Sequence, residues 1–347
     1  MSISTQVKDR RTKAGDIVVS VRDLHVTFPS EAGPVRAVRG LSFDLAAGET
    51  MAIVGESGSG KSVTSLAVMG LHPPTTRIEG SIKLHGEELL GKSDEELSQI
   101  RGRDVAMVFQ DPLSALTPVY TIGDQIVEAI QAHYDVPKSK AWNRAIELLD
   151  LVGIPNPQVR VKSFPFEFSG GMRQRVMIAM GIALRPQVLV ADEPTTALDV
   201  TVQAQIMELL DGLREQLGMS LVVITHDLGV VARYAEQVAV MYAGRIIERG
   251  TVAQILHSSQ HPYTRALQQS TPRPDADDDV LAAIPGQPPS IQAIPAGCSF
   301  HPRCSLTHDR ARCREEIPVL RRLTPEGQIT ACHFAEEMLE SREGAIA

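Results

Sequence analysis

The sequence predicts an α/β fold: a mostly parallel sheet with an antiparallel β subdomain in front, a helical insertion, and a small cysteine-bearing C-terminal extension. Three observations carry this. Strand-sized apolar runs, MAIV (51–54), VAMVF (105–109), VLVA (188–191) and LVVI (221–224), alternate with helical stretches, as in sheets crossed over by helices. A glycine-rich loop, GESGSGKS (55–62), lies between one such strand and a helix. All four cysteines gather behind residue 297.

Taken in order, MSISTQVKDRRTKAG has charges but no apolar run after them. It reads as a flexible lead-in, residues 1–17, and not as a secretory signal. IVVSVRDLHVTF (17–28) and VRAVRGLSFDL (35–45) alternate apolar and polar positions, which predicts antiparallel strands. MAIV enters the glycine loop and VTSLAVMGL (63–71) leaves it as a helix. From about residue 113 to between 165 and 175 the pattern is helical, in TIGDQIVEAIQAHY and SKAWNRAIELLDLVG, and this is the insertion. RQRVMIAMGIAL and VQAQIMELLDGLREQLG are helices around VLVA, and LVVI and VAVMYAGRIIERG supply further strands. QQSTPRPDADDD (268–279) is polar, acidic and proline-bearing, as expected of a linker. The main domain is placed at 18–255 and the extension at 256–347.

The net charge of -8 argues against a general nucleic-acid binder. No window approaches the roughly 18 consecutive apolar residues of a spanning helix, so any membrane role is expected to run through partners.

GESGSGKS fits G-x-x-x-x-G-K-S in the strand–loop–helix setting that motif requires, which makes the core a P-loop NTPase. Gly55, Gly58 and Gly60 allow backbone angles closed to other residues, so that N–H groups, including those of Ser57 and Ser59, turn in around phosphates. Lys61 is expected on the β- and γ-phosphates and Ser62 on Mg²⁺. QVLVADEP (187–194) ends a buried strand in two acids. Asp192 is expected to hold Mg²⁺ through its water shell, and Glu193 to polarise the attacking water. Gln110 and His226 each close a buried strand and are expected to aim at the same γ-phosphate. Ser169, Gly170 and Gly171 open a second anion-binding helix start, and one nucleotide cannot easily occupy both. Two subunits facing head to tail resolve this, each offering its SGG turn to the other's phosphate loop.

In this order, GESGSGKS, Gln110, FSGGM with RQR, VLVADEP, Ala197-Leu198-Asp199 and His226, the chain closely resembles the ABC-transporter ATPase family over residues 18–255. Phe168 and Met172 depart from its commoner Leu and Gln. The resemblance implies that Glu193 is the catalytic base, with Gln110 and His226 in the catalytic set and Gln110 on the Mg²⁺. It places Phe28 against adenine and has Asp199 link the two ATP sites. It also turns Gln110 and the insertion toward a membrane-embedded partner.

ATP use implies a cytoplasmic setting, where structural disulfides are rare, so clustered cysteines suggest a metal site. Cys298, Cys304, Cys313 and Cys332 are spaced C-x5-C, C-x8-C and C-x18-C, without a zinc knuckle. Spacing leaves zinc, an iron–sulfur cluster, and free or disulfide-linked thiols all open. His301, His308 and His333 are nearby, more as bystanders than ligands. HPYTRAL (261–267), IPGQPPS (284–290), GCSFHPRC (297–304) and ACH (331–333) together resemble the oligopeptide, dipeptide and nickel importer ATPases. That resemblance implies a 4Fe-4S cluster on the four cysteines, with a role as a structural clip favoured.

The expected function is therefore the ATPase subunit of a peptide-type importer on the cytoplasmic face of the membrane. Its expected partners are two transmembrane permeases, a second similar ATPase forming a heterodimer, and an extracytoplasmic substrate-binding protein, with no nucleic acid. A soluble mechanical ATPase acting on nucleic acid or ribosomes is the alternative; one cassette, acidic charge and no heptad run argue against it. A non-hydrolysing sensor is disfavoured by the complete catalytic motifs.

Overall fold

The computed structural model describes residues 13, 15–196, 198–270, 283–307, 310–323, 325 and 327–339. Most of the expected N-terminal lead-in and linker, with Ala197, His308 and the last eight residues, lie outside them.

Two sheets organise the chain. The smaller has the order β2-β1-β4-β5, with β1 Ile17–Phe28, β2 Val35–Ala46, β4 Arg77–Leu84 and β5 Glu87–Glu88, all antiparallel. Alternation in β1 and β2 gives it one face to bury, as the sequence predicts.

The larger sheet runs β11-β12-β10-β9-β3-β8-β7-β6, with β11 Arg321–Arg322, β12 Ile329–Thr330 and β10 Arg245–Thr251 at one side. Its parallel centre comprises β9 Gln237–Tyr242, β3 Thr50–Val54, β8 Ser220–Thr225, β7 Val188–Asp192 and β6 Val105–Val108. Strands β3, β6, β7 and β8 are buried along their whole length, which is why they read as unbroken apolar runs rather than alternations. Helix α1 Lys61–Met69 follows β3 and packs between the two sheets.

The insertion holds α3 Pro112–Ala115, α4 Ile122–Gln131, α5 Lys138–Leu151 and α6 Pro157–Arg160. Together with α7 Gly170–Gly181 and α8 Val200–Leu217 they bury Ile126, Leu148, Val176 and Leu210 on the other face of the large sheet.

The C-terminal region is built into the large sheet rather than hung from it. Strand β10 Arg245–Thr251 pairs antiparallel with β9, and β12 Ile329–Thr330 adds to β10, followed by β11 Arg321–Arg322. HPYT, which alone reads as a loop, opens helix α11 Pro262–Gln269. His261 caps it and Pro262 takes the first helical turn, where a missing N–H costs nothing. Tyr263 is fully buried against Tyr242 and Phe300, with ring centroids 4.7 and 5.3 Å away. Phe300 thereby anchors the cysteine-bearing segment to β9 and α11.

Candidate active site

The phosphate loop connects β3 to α1, and its shape is dictated by what surrounds it. Gly55 and Gly60 have φ of 156° and 101°. A Cβ on Gly55 would fall 2.3 Å from the Met241 carbonyl oxygen, and one on Gly60 2.8 Å from that of Ala37. Only glycine fits both positions. Gly58, at φ 78°, faces open space.

Lys61 is buried at 4% exposure, and its amine donates to the carbonyls of Gly55 (2.8 Å) and Glu56 (3.1 Å). The Glu193 carboxylate is 3.9 Å away. Burial pushes the Lys61 amine below its usual range, while Glu193, Asp192 and Glu56 pull it back up. Beside it the Ser62 hydroxyl donates to Asp192 Oδ1 at 3.0 Å, with Asp192 buried at the end of β7. Burial raises the Asp192 carboxyl, the Ser62 bond lowers it, and the Glu193 charge raises it again.

Glu193 draws the strand ends together. It adopts φ 44°, a left-handed angle uncommon for a non-glycine residue, and its N–H donates to the Ile224 carbonyl of β8 at 2.9 Å. Its Oε2 accepts from Gln110 Nε2 at 3.1 Å, lies 3.6 Å from His226 Nδ1, and accepts from the Thr196 hydroxyl at 2.9 Å. The His226 side chain is 64% exposed, so its ring stands at the open rim. Thr196 escaped the sequence reading. Its position three residues after Glu193 in EPTT was the available signal.

The residues present fit a metal-bound polyphosphate. A buried amine held by neutral carbonyls sits beside a helix start that no side chain caps, so an anion is the matching ligand. Among the described residues the buried Ser59 hydroxyl has no hydrogen-bond partner. Ser62 and Asp192 are hard oxygen donors of the kind Mg²⁺ takes.

The other expected residues lie apart from this cluster. Ser169 caps α7 by accepting from the Met172 N–H at 3.4 Å, and Ser169 and Gly170 are exposed. A Cβ on Gly171 would meet Val202 Cγ1 at 2.8 Å, so α7 and α8 start side by side. Asp199 caps α8 through the Val202 N–H at 2.9 Å. Phe28 is half-buried, edge-on to the His72 ring with centroids 5.4 Å apart. The departures in the signature are tolerated because Phe168 turns inward, 3% exposed, into the helical core.

The four cysteines are free thiols. The Cys298 N–H donates to the Cys313 carbonyl at 2.9 Å, and a thiolate at Cys304, Cys298 or Cys313 would raise Cys332, so the four share one neighbourhood. Burial pushes Cys298 up to about 11 and Cys332 up to about 12. Among the described residues no group of three or more His, Cys, Asp or Glu side chains is arranged to hold a metal ion. The donor chemistry suits a soft metal or cluster, but the arrangement is not a formed ligand set.

A phosphate loop, acids at the neighbouring strand end, and an S-G-G helix start on a helical insertion define an ATP-binding cassette. A family model described as ABC transporter matches residues 38–196, and one described as Oligopeptide/dipeptide transporter, C-terminal region, matches 247–313. The dipeptide transport ATP-binding protein DppD of Bacillus subtilis is 51% identical over 289 residues, 83% of this chain and 86% of that one. The oligopeptide transport ATP-binding protein OppD of Escherichia coli is 45% identical over 337 residues, covering 97% and 99%. OppD of Mycobacterium tuberculosis is 52% identical over 300 residues. The chain spans about half the length of that mycobacterial relative, 49%. Among solved structures, a dimeric post-hydrolysis state of the cassette MJ0796 bound to ADP and Pi superposes with a TM-score of 0.61 at 28% identity, over 67% of this chain and 98% of that one. The chain belongs to the ABC-transporter family, among its oligopeptide and dipeptide ATP-binding proteins.

Proposed function

We propose that the chain binds Mg-ATP and hydrolyses it as one half of a cassette pair that drives a membrane importer of peptides. The observation that carries this is the convergence of Lys61, Ser62, Gln110, Asp192, Glu193 and His226 from four strand ends on the open side of one phosphate loop. Similarity to dipeptide and oligopeptide transport proteins over 86% and 99% of their lengths supports the peptide cargo.

In this reading Lys61 binds the β- and γ-phosphates, and the N–H groups of the loop from Gly55 through Ser62 cradle them. Ser62, Asp192 and Gln110 hold Mg²⁺, which when bound neutralises charge on the phosphate oxygens. Glu193 orients the attacking water and takes its proton, with His226 and Gln110 fixing the carboxylate. Phe28 lies against the adenine. Ser169, Gly170, Gly171 and Asp199 serve the nucleotide of a partner cassette, which accounts for a helix start left exposed. The partners are a sister ATPase, two permeases and a substrate-binding protein, and the chain sits on the cytoplasmic face of the membrane. Among the described residues no helix is long and apolar enough to cross a membrane. The insertion exposes Leu113, Val119, Tyr120 and Phe166, apolar surface suited to a permease.

Replacing Glu193 with Gln tests the core of the proposal. It keeps size and hydrogen bonding but removes the base, so turnover falls by about 100-fold or more while ATP binding persists. Unchanged turnover would refute the assignment.

Cys298, Cys304, Cys313 and Cys332 are proposed to hold a 4Fe-4S cluster, with Zn²⁺ as the alternative, closing around it as a clip. Their shared neighbourhood supports this, as does a segment with little core of its own, in which Ile317 and Val319 are exposed. Anaerobic protein should contain iron and sulfide and absorb in the visible. Zinc alone would reject the cluster.

A further inference from the structure

Glu56 is the second residue of the phosphate loop, and the C-terminal region holds it at both ends. Its backbone N–H donates to the Tyr263 hydroxyl at 2.8 Å. Its carboxylate receives the Arg303 guanidinium in a two-pronged pair at 2.6 and 2.9 Å. This is the fork geometry that makes arginine–carboxylate pairs strong and directional. The side chains are 5% exposed for Arg303 and 22% for Glu56, so water does little to screen the pair.

Arg303 is itself fixed from outside the loop. Its Nε donates to the Pro285 carbonyl at 2.8 Å and Nη1 reaches the Tyr242 hydroxyl at 3.3 Å. Tyr263 is locked in the aromatic cluster with Tyr242 and Phe300. The residue so pinned is the one whose carbonyl accepts from the Lys61 amine and from the Ser59 N–H (3.2 Å). Moving Glu56 therefore moves the lysine's anchor.

Charge points the same way. A loop that must take a polyanion carries a carboxylate one residue into its turn. Left unpaired, that carboxylate would repel the phosphates; paired with Arg303, it is neutralised and turned toward the C-terminal region.

We propose that Arg303 and Tyr263 are positioning residues for the phosphate loop, so that the cysteine-bearing region sets part of the cassette's affinity for ATP. This rests on the ATP-binding reading of the loop. Neither residue belongs to the nucleotide motifs, and Arg303 lies 247 positions from Glu56 in sequence.

The test is equilibrium titration of the full chain with a fluorescent ATP analogue and Mg²⁺, alongside thermal melting. Arg303→Met weakens ATP binding about tenfold, by exposing a carboxylate to the phosphates and loosening the loop. AMP, with less charge to repel, loses less. Arg303→Lys, which keeps the charge and loses the fork, falls between. The double variant Glu56→Gln, Arg303→Met recovers to within about threefold of wild type, because no unpaired carboxylate remains. Tyr263→Phe weakens binding by a few-fold through the orphaned Glu56 N–H.

The inference is overturned if Arg303→Met, melting as wild type, binds ATP as wild type. It is equally overturned if the double variant melts as wild type yet binds no better than the single one. Should Arg303→Met fail to fold, the double variant and Tyr263→Phe carry the same decision. Wild-type protein that bound no ATP would instead remove the nucleotide reading itself, a distinct outcome.

Discussion

Glu248 offers a sharp test of how the C-terminal region is joined to the cassette. It lies on β10 with 0% exposure and accepts from the N–H groups of Gln260 and His261 and from the Gln328 amide at 2.8 Å. Burial pushes its carboxyl from 4.5 up to about 7, although these hydrogen bonds pull it back. Between those two values the folded chain keeps a proton that the unfolded chain has released. Stability conferred by this group is therefore full below 4.5 and falls as pH rises toward 7. At about 1.4 kcal/mol per unit, the loss is roughly 3 kcal/mol. His261 acts in the opposite sense. Burial holds it neutral, down to about 3 from 6.5, with Nδ1 accepting from the Tyr263 N–H at 3.0 Å, so its contribution is lost as pH falls below 6.5. The two slopes oppose one another between 4.5 and 6.5, which hides both in the wild-type profile. Glu248→Gln removes one of them. Urea unfolding of both proteins from about pH 4 to about pH 8 should show the variant gaining on wild type by roughly 3 kcal/mol as pH rises. A difference that stayed constant across that range would refute the reasoning.

Other outcomes follow from single contacts. Gly60→Ala drives a Cβ to 2.8 Å from the Ala37 carbonyl at a left-handed φ of 101°, so nucleotide binding by titration should be lost and the melting temperature lowered. Ser62→Ala leaves the buried Asp192 carboxyl without its 3.0 Å partner and raises it further. The Mg²⁺ concentration needed for half-maximal ATP binding should rise about tenfold. Phe300→Ala empties the site between Tyr242 and Tyr263 and should cost about 3–5 kcal/mol in denaturant unfolding.

What the sequence discloses and what it hides divide along physical lines. The loop around Lys61, the acids after β7, and Gln110 and His226 at strand ends are legible because phosphate chemistry demands those residue types at fixed places on buried strands. The helical insertion is legible from its periodicity. Strand β4 is not, because Gly80 interrupts its alternation where the pairing with β1 slips at Arg22/His25. Strands β11 and β12, two residues each, are too short to show any period. Helix α11 was hidden by Pro262, which marks a loop or a first helical turn equally well. The Arg303–Glu56 pair and the Glu248 network join residues far apart in the chain, so no local pattern could reveal them.

The phosphate loop is hemmed on most sides by its own chain, and this constrains how the site can be completed. The Met241 and Ala37 carbonyls close the loop's inner face at Gly55 and Gly60, and Ser59 accepts from the Gly244 N–H at 2.9 Å. Arg303 and Tyr263 close it at Glu56. Arg39 ties β2 to the same region through Ala243 and Ser299 at 2.9 and 2.7 Å. Among the described residues the loop opens to solvent at Ser57 and Gly58, and the Ser169 hydroxyl of the signature turn is engaged in its own cap. A nucleotide entering there would keep one face uncovered. In the pairing proposed above, a second cassette would cover that face with its own Ser169-type turn, and a loop braced at Glu56 by Arg303 and Tyr263 would keep its shape as the partner closes.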